Sequence, residues 1–325
     1  MTMENDGLIH AFLFDGEGGG HDLSWNELNS WTASQGKIWI HLAYTSPNAY
    51  TWLLEKSGLD SFIVEALTSE ETRPRSTVIG NGLLLNLRGV NLNPGADLED
   101  MVSLRVWADE NRIITTRKRH LLSVTDLKTQ LNNGSGPTSI SHFIITINEL
   151  LTSYIEEAVD DIEDNISSLE EQVISSNQGS LRSQISAIRR ESIILRRYLA
   201  PQREAISRLH IDTIVWFNEK DKRHLYEIAN SLVRIVEHLD SLRDRASVAQ
   251  EELVNSLSAQ LNSRMYVLSI ITAIFLPLSF FTGLLGINVG GIPGATYKWA
   301  FLIVILLLLL ICIGQYFYFR KKHWV

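Results

Sequence analysis

The sequence predicts an α+β domain, then a long helical stalk, then two helices that cross a membrane. Three patterns support this order. Short apolar runs alternate with helical patterns over residues 1–137, an unbroken helical repeat follows, and two apolar segments come last, at 265–286 and 299–319. A helix of about 20 residues, at roughly 1.5 Å per residue, crosses the roughly 30 Å of hydrocarbon in a bilayer. We therefore expect a large water-soluble body on a two-helix membrane anchor.

Turn signals between apolar runs predict two β-hairpins in the cytosolic domain, residues 1–137. A Gly-Asn-Gly turn at 80–82 separates one pair of strand-like runs, and an Asp-Glu-Asn turn at 109–111 separates a second pair. Helical patterns lie between the strands, which is typical of an α+β domain with a mixed or mostly antiparallel sheet. The glycine-rich run at 16–20 has neither the lysine nor the spacing of a phosphate-binding loop, so we expect a turn there.

A linker rich in Asn, Gly and Ser lies at 132–137. The pattern of residues 138–218, which follow it, predicts a helical hairpin. Apolar residues recur at three and four in both helices, and acidic residues cover the opposite face of the first helix. Such a face is usually solvated and paired with nearby arginines, so we favour this reading over a metal site, although the face would still attract hydrated cations. Proline removes a helical hydrogen bond, so we expect Pro201 to interrupt the second helix.

The cytosolic stalk, residues 219–264, has the most regular repeat in the chain. Its apolar residues follow one another at three and four, which is the spacing of coiled coils, and the spacing shifts to four and four at Leu257. Neither Pro nor Gly occurs from 218 to 276, so we expect the stalk and the first span to form one helix. The chain supplies few partners for so long an apolar face, which predicts a parallel homo-oligomer. The repeat comprises Leu225, Ile228, Leu232, Ile235, Leu239, Leu242, Ala246, Ala249 and Leu253.

A second stripe on the same helix is polar or small where a lipid-facing surface would be apolar. Its members recur at three and four and continue through the first span, residues 265–286. Small and hydroxyl residues of this kind mediate close packing of membrane helices, or they line a water-filled path between identical helices. Asn262 favours the water-filled path, because an amide at the membrane edge needs water or a partner. The predicted pore-lining residues are Asn255, Ser258, Asn262, Met265, Ser269, Thr272, Leu276, Ser279 and Gly283, and the stripe ends at Gly286.

The first span has no ligand set that would hold a bare divalent ion. No Asp, Glu or His lies between Arg264 and Arg320, and the single cysteine, Cys312, lies in the second span. A dehydrated divalent cation needs carboxylate, imidazole or thiolate ligands, so we expect a cation on this path to keep most of its water. The same absence removes any carboxylate or imidazole relay for protons. Pro277 lacks an amide hydrogen, so we expect it to kink the first span and to free a carbonyl.

Charge and cysteine content place the soluble body in the cytosol and exclude some partners. The formal net charge is −8, and residues 1–264 carry −12, because four of the 29 basic residues and none of the 37 acidic residues lie beyond them. An acidic body disfavours nucleic acid, whose phosphates require Lys and Arg. A single cysteine permits no disulfide within the chain, and the first residues lack the pattern of a signal peptide. The basic tail at 320–325 follows the second span, so the positive-inside rule predicts both termini in the cytosol and the loop 287–298 in the periplasm.

The end of the first span resembles the signature of the CorA metal-ion transporter superfamily. Pro277 begins a Pro-Leu-Ser-Phe run, Gly283 follows, and Gly286-Ile287-Asn288 completes a pattern similar to P-L-T-F…G…G-M-N. The resemblance covers the whole chain, from the α+β domain through the stalk and both spans to the basic tail. It implies a funnel-shaped homopentamer whose first spans line a pore and whose second spans form an outer ring. It also implies that Gly286, Ile287 and Asn288 form the mouth that selects hydrated cations, and that the polar stripe lines the pore.

Two features distinguish the sequence from the magnesium-transporting branch of that superfamily. Ile287 stands where that branch has methionine, and the loop that follows, 289–294, has no acidic residue. Both features are similar to the ZntB zinc-transporter branch, whose loop carries a GGIPG run. This similarity implies transport of zinc, with cadmium, nickel or cobalt as further cargo, across the inner membrane and without a bound cofactor. It also suggests proton-coupled uptake, although the sequence leaves the direction and the coupling open.

Two histidines of the stalk are weak candidates for zinc ligands. His224 has Asp221 and Glu227 three residues away on either side, so a carboxylate on the same helix face could reach it. His238 is the weaker candidate, because its acidic neighbours in sequence do not share its face. A lone histidine on a helix surface is common, so the sequence assigns neither residue to a site.

Two other functions stay open from the residues alone. One is a CorA-type channel for magnesium, cobalt or nickel, which differs in the motif and in cation preference. The other is a membrane-anchored coiled-coil scaffold, which would need no polar stripe and would tolerate loss of the Asn288 amide. An enzyme has the least support, because no nucleophile–base pair and no metal-ligand cluster is apparent in the sequence. The expected partners are copies of the same chain, membrane lipid, divalent cations and, with coupling, protons.

Overall fold

The chain forms two compact units, Met1–Glu251 and Glu252–Val325. The computed structural model describes residues 6–70, 73–175, 180–212, 214–287, 292, 294 and 297–321.

A seven-stranded mixed sheet forms the centre of the first unit. Its strands lie side by side in the order β2-β1-β3-β7-β6-β5-β4; β3 and β7 run parallel and all other neighbours run antiparallel. Both predicted hairpins are confirmed, since β4 pairs with β5 and β6 pairs with β7. The strands are β1 Leu8–Phe14, β2 Gly20–Asp22, β3 Ile38–Ala43, β4 Arg75–Ile79, β5 Gly82–Gly89, β6 Val102–Ala108 and β7 Arg112–Arg117.

The glycine-rich run at 16–20 forms the predicted turn, and it also begins a strand that the sequence pattern did not indicate. The Asp15 carboxylate accepts hydrogen bonds from the backbone amides of Glu17 (2.7 Å) and Gly19 (2.9 Å), and these bonds lower the pKa of Asp15. β2 then pairs with β1. The strand is short and exposed on both faces, so it has none of the apolar alternation by which strands are recognised.

Helices cover both faces of the sheet around β3. Ile38, Ile40 and Leu42 of β3 are buried in one core cluster together with residues of α2 and α3. On the other face, the ring of Trp39 lies 5.1 Å from that of Phe143, which belongs to α5. The helices of this unit before the hairpin are α1 Trp25–Ser30, α2 Pro47–Glu55, α3 Ser61–Thr68 and α4 Leu122–Asn132; α5 is Ile140–Ser175.

The second hairpin helix, α6, is one continuous element from Leu181 to Ile211, so the predicted interruption at Pro201 is wrong. Leu199 and Ile206, on either side of the proline, are fully buried. The side chain of Gln202 is also buried and accepts a hydrogen bond from the Arg88 amide (2.7 Å). These contacts hold the helix axis on both sides of Pro201 and offset the one hydrogen bond that the proline removes.

The stalk belongs to α7, which runs from Glu219 to Leu285 without a break, as predicted. The expectation that the chain supplies few partners for its apolar repeat is wrong, because all nine members, from Leu225 to Leu253, are buried. Arg245 pairs with Glu170 of α5 (2.7 Å), and Arg196 of α6 pairs with Asp240 (2.7 Å). The apolar stripes of α5 and α6 therefore meet the repeat within one copy, a packing that the spacing of a single helix cannot reveal.

The second unit contains the remainder of α7 and the helix α8, Ala300–Lys321. Both helices are long and apolar enough to cross a membrane. The predicted spans thus coincide with helices, the first ending at Leu285 and the second beginning at Ala300.

Candidate functional site

The polar stripe of α7 lies on a face that the rest of the second unit leaves uncovered. All its members from Asn255 to Gly286 are exposed, with Met265 at 61% and Leu276 at 65%. A different face of α7 is half-buried: Ile270, Ala273, Ile274, Pro277, Leu278 and Phe281. One face of α8 is correspondingly shielded: Ala300, Val304, Leu308, Ile311, Cys312, Gln315 and Phe319.

The second span therefore covers α7 on nearly the opposite side from the stripe. At about 100° per residue, the centre of the half-buried face lies roughly 150° around the helix axis from the centre of the stripe. A side-chain hydrogen bond from Gln315 to the Ala273 carbonyl joins the two helices directly on that face (3.3 Å). The stripe is thus free to meet other copies or water.

Two hydroxyls of the stripe use their protons within the helix. Ser269 donates to the carbonyl of Met265 (2.8 Å), and Thr272 donates to that of Leu268 (2.9 Å). A hydroxyl bonded in this way has no proton left for the outside, but its oxygen keeps lone pairs that can accept. The face can therefore receive hydrogen bonds from the water shell of a cation.

Pro277 lies inside α7, and its effect on the backbone has a specific counterpart in α8. Proline has no amide hydrogen, so the carbonyl of Ala273, four residues earlier, has no donor from its own helix. The Gln315 side chain supplies that donor. The other polar atom of the same side chain, Oε1, is buried and has no hydrogen-bond partner among the described residues. Gln315 was absent from the residues predicted from the sequence, because one polar residue in an apolar helix gives no periodic signal.

The predicted selectivity motif begins where α7 ends. The Gly286 amide donates to the carbonyls of Thr282 (2.9 Å) and Gly283 (3.2 Å), and an added Cβ at Gly286 would lie 3.0 Å from the Thr282 oxygen. Ile287 follows and is 49% exposed. Asn288 lies outside the described residues, as do residues 289–291.

The candidate zinc histidines face carboxylates of a neighbouring helix. Nε2 of His238 lies 3.1 Å from Glu163 of α5, and ligand atoms of Asp160, Glu163 and His238 all lie within 4.8 Å of one another. Nδ1 of His224 lies 3.8 Å from the carboxylate of Glu149. Glu149 and Glu163 both belong to α5, so spacing along α7 could not indicate them.

One of the two carboxylates that could reach His224, that of Asp221, has another role. Asp221 accepts the backbone amide of Asn218 (3.1 Å) at the start of α7. Glu163 also has another partner, because Arg245 donates a hydrogen bond to it (3.2 Å). Arg245 donates a second hydrogen bond to Glu170, and this bond raises the pKa of Arg245. A cation near His238 would compete with this arginine.

Known proteins resemble this chain over its full length. Residues 34–321 match the family model described as CorA-like Mg2+ transporter protein. The "divalent cation transporter CmaX" of Pseudomonas aeruginosa is 41% identical over 98% of this chain and 97% of its own length. The "zinc transport protein ZntB" of Pectobacterium atrosepticum is 33% identical over 99% of this chain and 98% of its own length.

Solved structures share the fold. The full-length CmaX structure has a TM-score of 0.87 at 40% identity and covers 100% of both chains. The complete CorA magnesium transporter structure from Methanocaldococcus jannaschii has a TM-score of 0.85 at 16% identity, over 98% of this chain and 99% of that one, which is a likeness of fold alone.

Proposed function

The chain belongs to the CorA-like Mg2+ transporter family, and we propose that it carries zinc through a central pore of a homopentamer lined by the first span. The family transports divalent cations, so the chain is a divalent cation transporter and not an enzyme, as the sequence predicts. The metal, the pore and the number of copies are the proposal.

The position of α8 is the main observation that supports the proposed pore. The second span shields one side of α7 and leaves the polar stripe exposed on the other. Several copies arranged with their stripes inward would enclose a path lined by hydroxyl, amide and small side chains, with the second spans outside. No carboxylate or imidazole lies in either span, so the path would pass a hydrated cation without holding it.

Zinc is proposed as the preferred cation for two reasons. Relatives named as zinc transport proteins match almost the whole chain, and Ile287 with its acid-free loop departs from the magnesium pattern. The CmaX relative is named for divalent cations in general, so cadmium, nickel and cobalt belong among the cargo to be tested.

Cation flux into proteoliposomes tests both the preferred metal and the role of the Gly286-Ile287-Asn288 motif. We expect the wild type to carry zinc faster than magnesium, and Asn288→Ala to lower the zinc preference about tenfold by removing the amide that reads the hydration shell. Asn26→Ala, an exposed amide of the soluble unit, is the matched control. Magnesium flux equal to or above zinc flux in the wild type would favour a magnesium, cobalt or nickel channel instead.

Proton coupling and orientation complete the proposal. Because the stripe has no titratable side chain, protons would travel through water in the pore or over residues of the cytosolic part. Zinc flux into vesicles with a pH gradient should exceed flux without one, and equal rates would exclude coupling.

The basic last turn of α8, with Arg320 and Lys321, supports cytosolic termini. A tag at the C-terminus should accordingly resist protease added to the periplasmic side.

A further inference from the structure

The soluble unit contains a cavity whose charge is opposite to that of the unit around it. Its volume is about 680 Å³, and it lies where β5 and β6 approach α6, Glu70 and Arg73. Residues 1–264 carry −12, yet among the described residues the cavity is lined by six basic and two acidic side chains. The basic residues are Arg73, Arg88, Arg105, Lys118, Arg119 and Arg197, and the acidic residues are Glu70 and Asp100.

Arg105 is the buried member of this set. Its side chain projects from β6 and is 1% exposed. Nη2 donates to the backbone carbonyl of Glu70 (3.2 Å), and the guanidinium lies over the Tyr44 ring at 4.8 Å. Nε and Nη1 are buried and have no hydrogen-bond partner among the described residues. Burial lowers the pKa of Arg105 from its usual value, which reflects the cost of holding this charge away from water.

Asn86 adds a second buried polar group beside Arg105. It stands opposite Arg105 in the register of β5 and β6 and is 1% exposed. Neither atom of its amide has a hydrogen-bond partner among the residues that the structure describes. Unpaired polar groups of this kind are costly to bury, and a buried charge without a carboxylate costs more still. Folding alone would be served better by an apolar side chain at position 105.

Four other basic side chains of the lining have several kinds of partner. The guanidinium groups of Arg88 and Arg197 lie 4.7 and 5.0 Å from the centroid of the Tyr198 ring, and Arg88 also donates to the Met101 carbonyl (2.8 Å). Lys118 pairs with Glu70, and Arg119 pairs with Asp100, in both cases among exposed side chains. Exposed pairs of this type contribute little and exchange readily. Among the described residues of the lining, basic side chains therefore outnumber acidic ones.

We propose that this cavity binds a small multivalent anion that carries phosphate groups. The planar fork of arginine matches phosphate oxygens with two parallel hydrogen bonds, and Arg105 has donors to offer inside the cavity. Cavities of roughly 300–1,000 Å³ accommodate small organic ligands, so both an inorganic polyphosphate and a nucleotide would fit. Anion binding in this cavity is independent of which cation the protein transports.

Calorimetric titration of the full-length protein in metal-free buffer tests the site with inorganic triphosphate and with ATP. We expect saturable binding of one anion per chain, and about tenfold weaker binding in the double variant Arg73→Ala/Arg119→Ala, because each lost side chain removes a charge-assisted contact. Arg182→Ala, an exposed arginine on α6 roughly 20 Å along the helix from Arg197, should bind as the wild type does. Tighter binding of ATP than of triphosphate would assign a nucleotide, and equal binding would assign the phosphate chain alone.

Three results would overturn the proposal: no binding of either anion, a double variant that binds like the wild type, or citrate binding as tightly as triphosphate. Arg105→Met supplies a separate readout. We expect this variant to unfold at the wild-type temperature or above it without ligand, and to lose the rise in unfolding temperature that triphosphate gives the wild type. An unchanged rise would contradict the role of Arg105. If the variant does not fold, the double variant still decides the question.

Discussion

The two units of the chain differ in how completely one copy buries its own apolar side chains. Leu232 and Leu268 lie on the same helix, yet Leu232 is fully buried and Leu268 is 58% exposed. Among the described residues beyond Leu253, Phe319 alone of the apolar side chains is buried. One copy therefore completes the core of the soluble unit, whereas the membrane unit depends on lipid and, in our proposal, on further copies.

The units differ in the same way in their charges. Charged side chains of the soluble unit meet partners on other helices, as Arg245 meets Glu163 and Glu170. The spans between Arg264 and Arg320 contain no acidic residue and no histidine at all. In our proposal, the soluble unit attracts cations, and the pore surface offers them no fixed ligand.

The largest expected effect comes from shortening a leucine on each side of the boundary. Leu232→Ala should cost about 2–5 kcal/mol, because it leaves a cavity in a closed core. Leu268→Ala should cost less than about 1 kcal/mol, since lipid can fill the space of an exposed side chain. Thermal unfolding of the two variants in the same detergent gives the comparison. Equal losses would mean that the membrane half of α7 is packed as tightly as the stalk.

The next effect concerns the uncovered face. An added Cβ at Gly283 meets nothing within 4 Å in one copy, and the same is true of Gly314 on α8. Gly283→Leu should therefore leave the folded chain intact but lower zinc flux more than about tenfold, because five bulky side chains would close the proposed pore. Gly314→Leu is the matched control and should conduct. Normal flux through the Gly283 variant would remove the stripe from the pore.

The elements that the sequence predicted well are those set by local chemistry. Both hairpins follow from their turn residues, and the unbroken α7 follows from the lack of Pro and Gly before Pro277. The family, too, could be recognised from a short motif at the end of the first span. The register shift at Leu257 coincides with the start of the exposed half of α7, where Leu257 is 39% and Leu261 is 61% exposed.

The elements that the sequence did not predict depend on contacts between distant residues. The continuity of α6 through Pro201 depends on packing on both sides of the proline. The carboxylate near His238 comes from Glu163, and the donor for the Ala273 carbonyl comes from Gln315. In each case the partner is dozens of residues away, so no periodicity in one helix could identify it.

A smaller effect is expected at the bond between the two spans. Gln315→Leu leaves the Ala273 carbonyl without a donor in apolar surroundings, which should cost about 1–3 kcal/mol. Pro277→Ala restores a helical amide to the same carbonyl. In that background, Gln315→Leu should cost much less, and a double-mutant cycle on the unfolding temperature measures the difference. Additive losses would show that Gln315 stabilises the spans independently of the proline.

The smallest effect on transport is expected at the stalk histidines, where the soluble unit has imidazole and carboxylate groups that the spans lack. Equilibrium dialysis of the full-length protein should show that His238→Ala loses a weakly bound zinc ion, because His238 faces both Asp160 and Glu163. His224→Ala is the matched control and should retain it, because His224 does not belong to the group formed by Asp160, Glu163 and His238. Arg245→Gln should strengthen zinc binding, since it frees Glu163 from its competing partner. If neither His238→Ala nor Arg245→Gln changes zinc binding, the cluster is an ion-pair network and not a zinc site. Zinc flux should change little in all three variants.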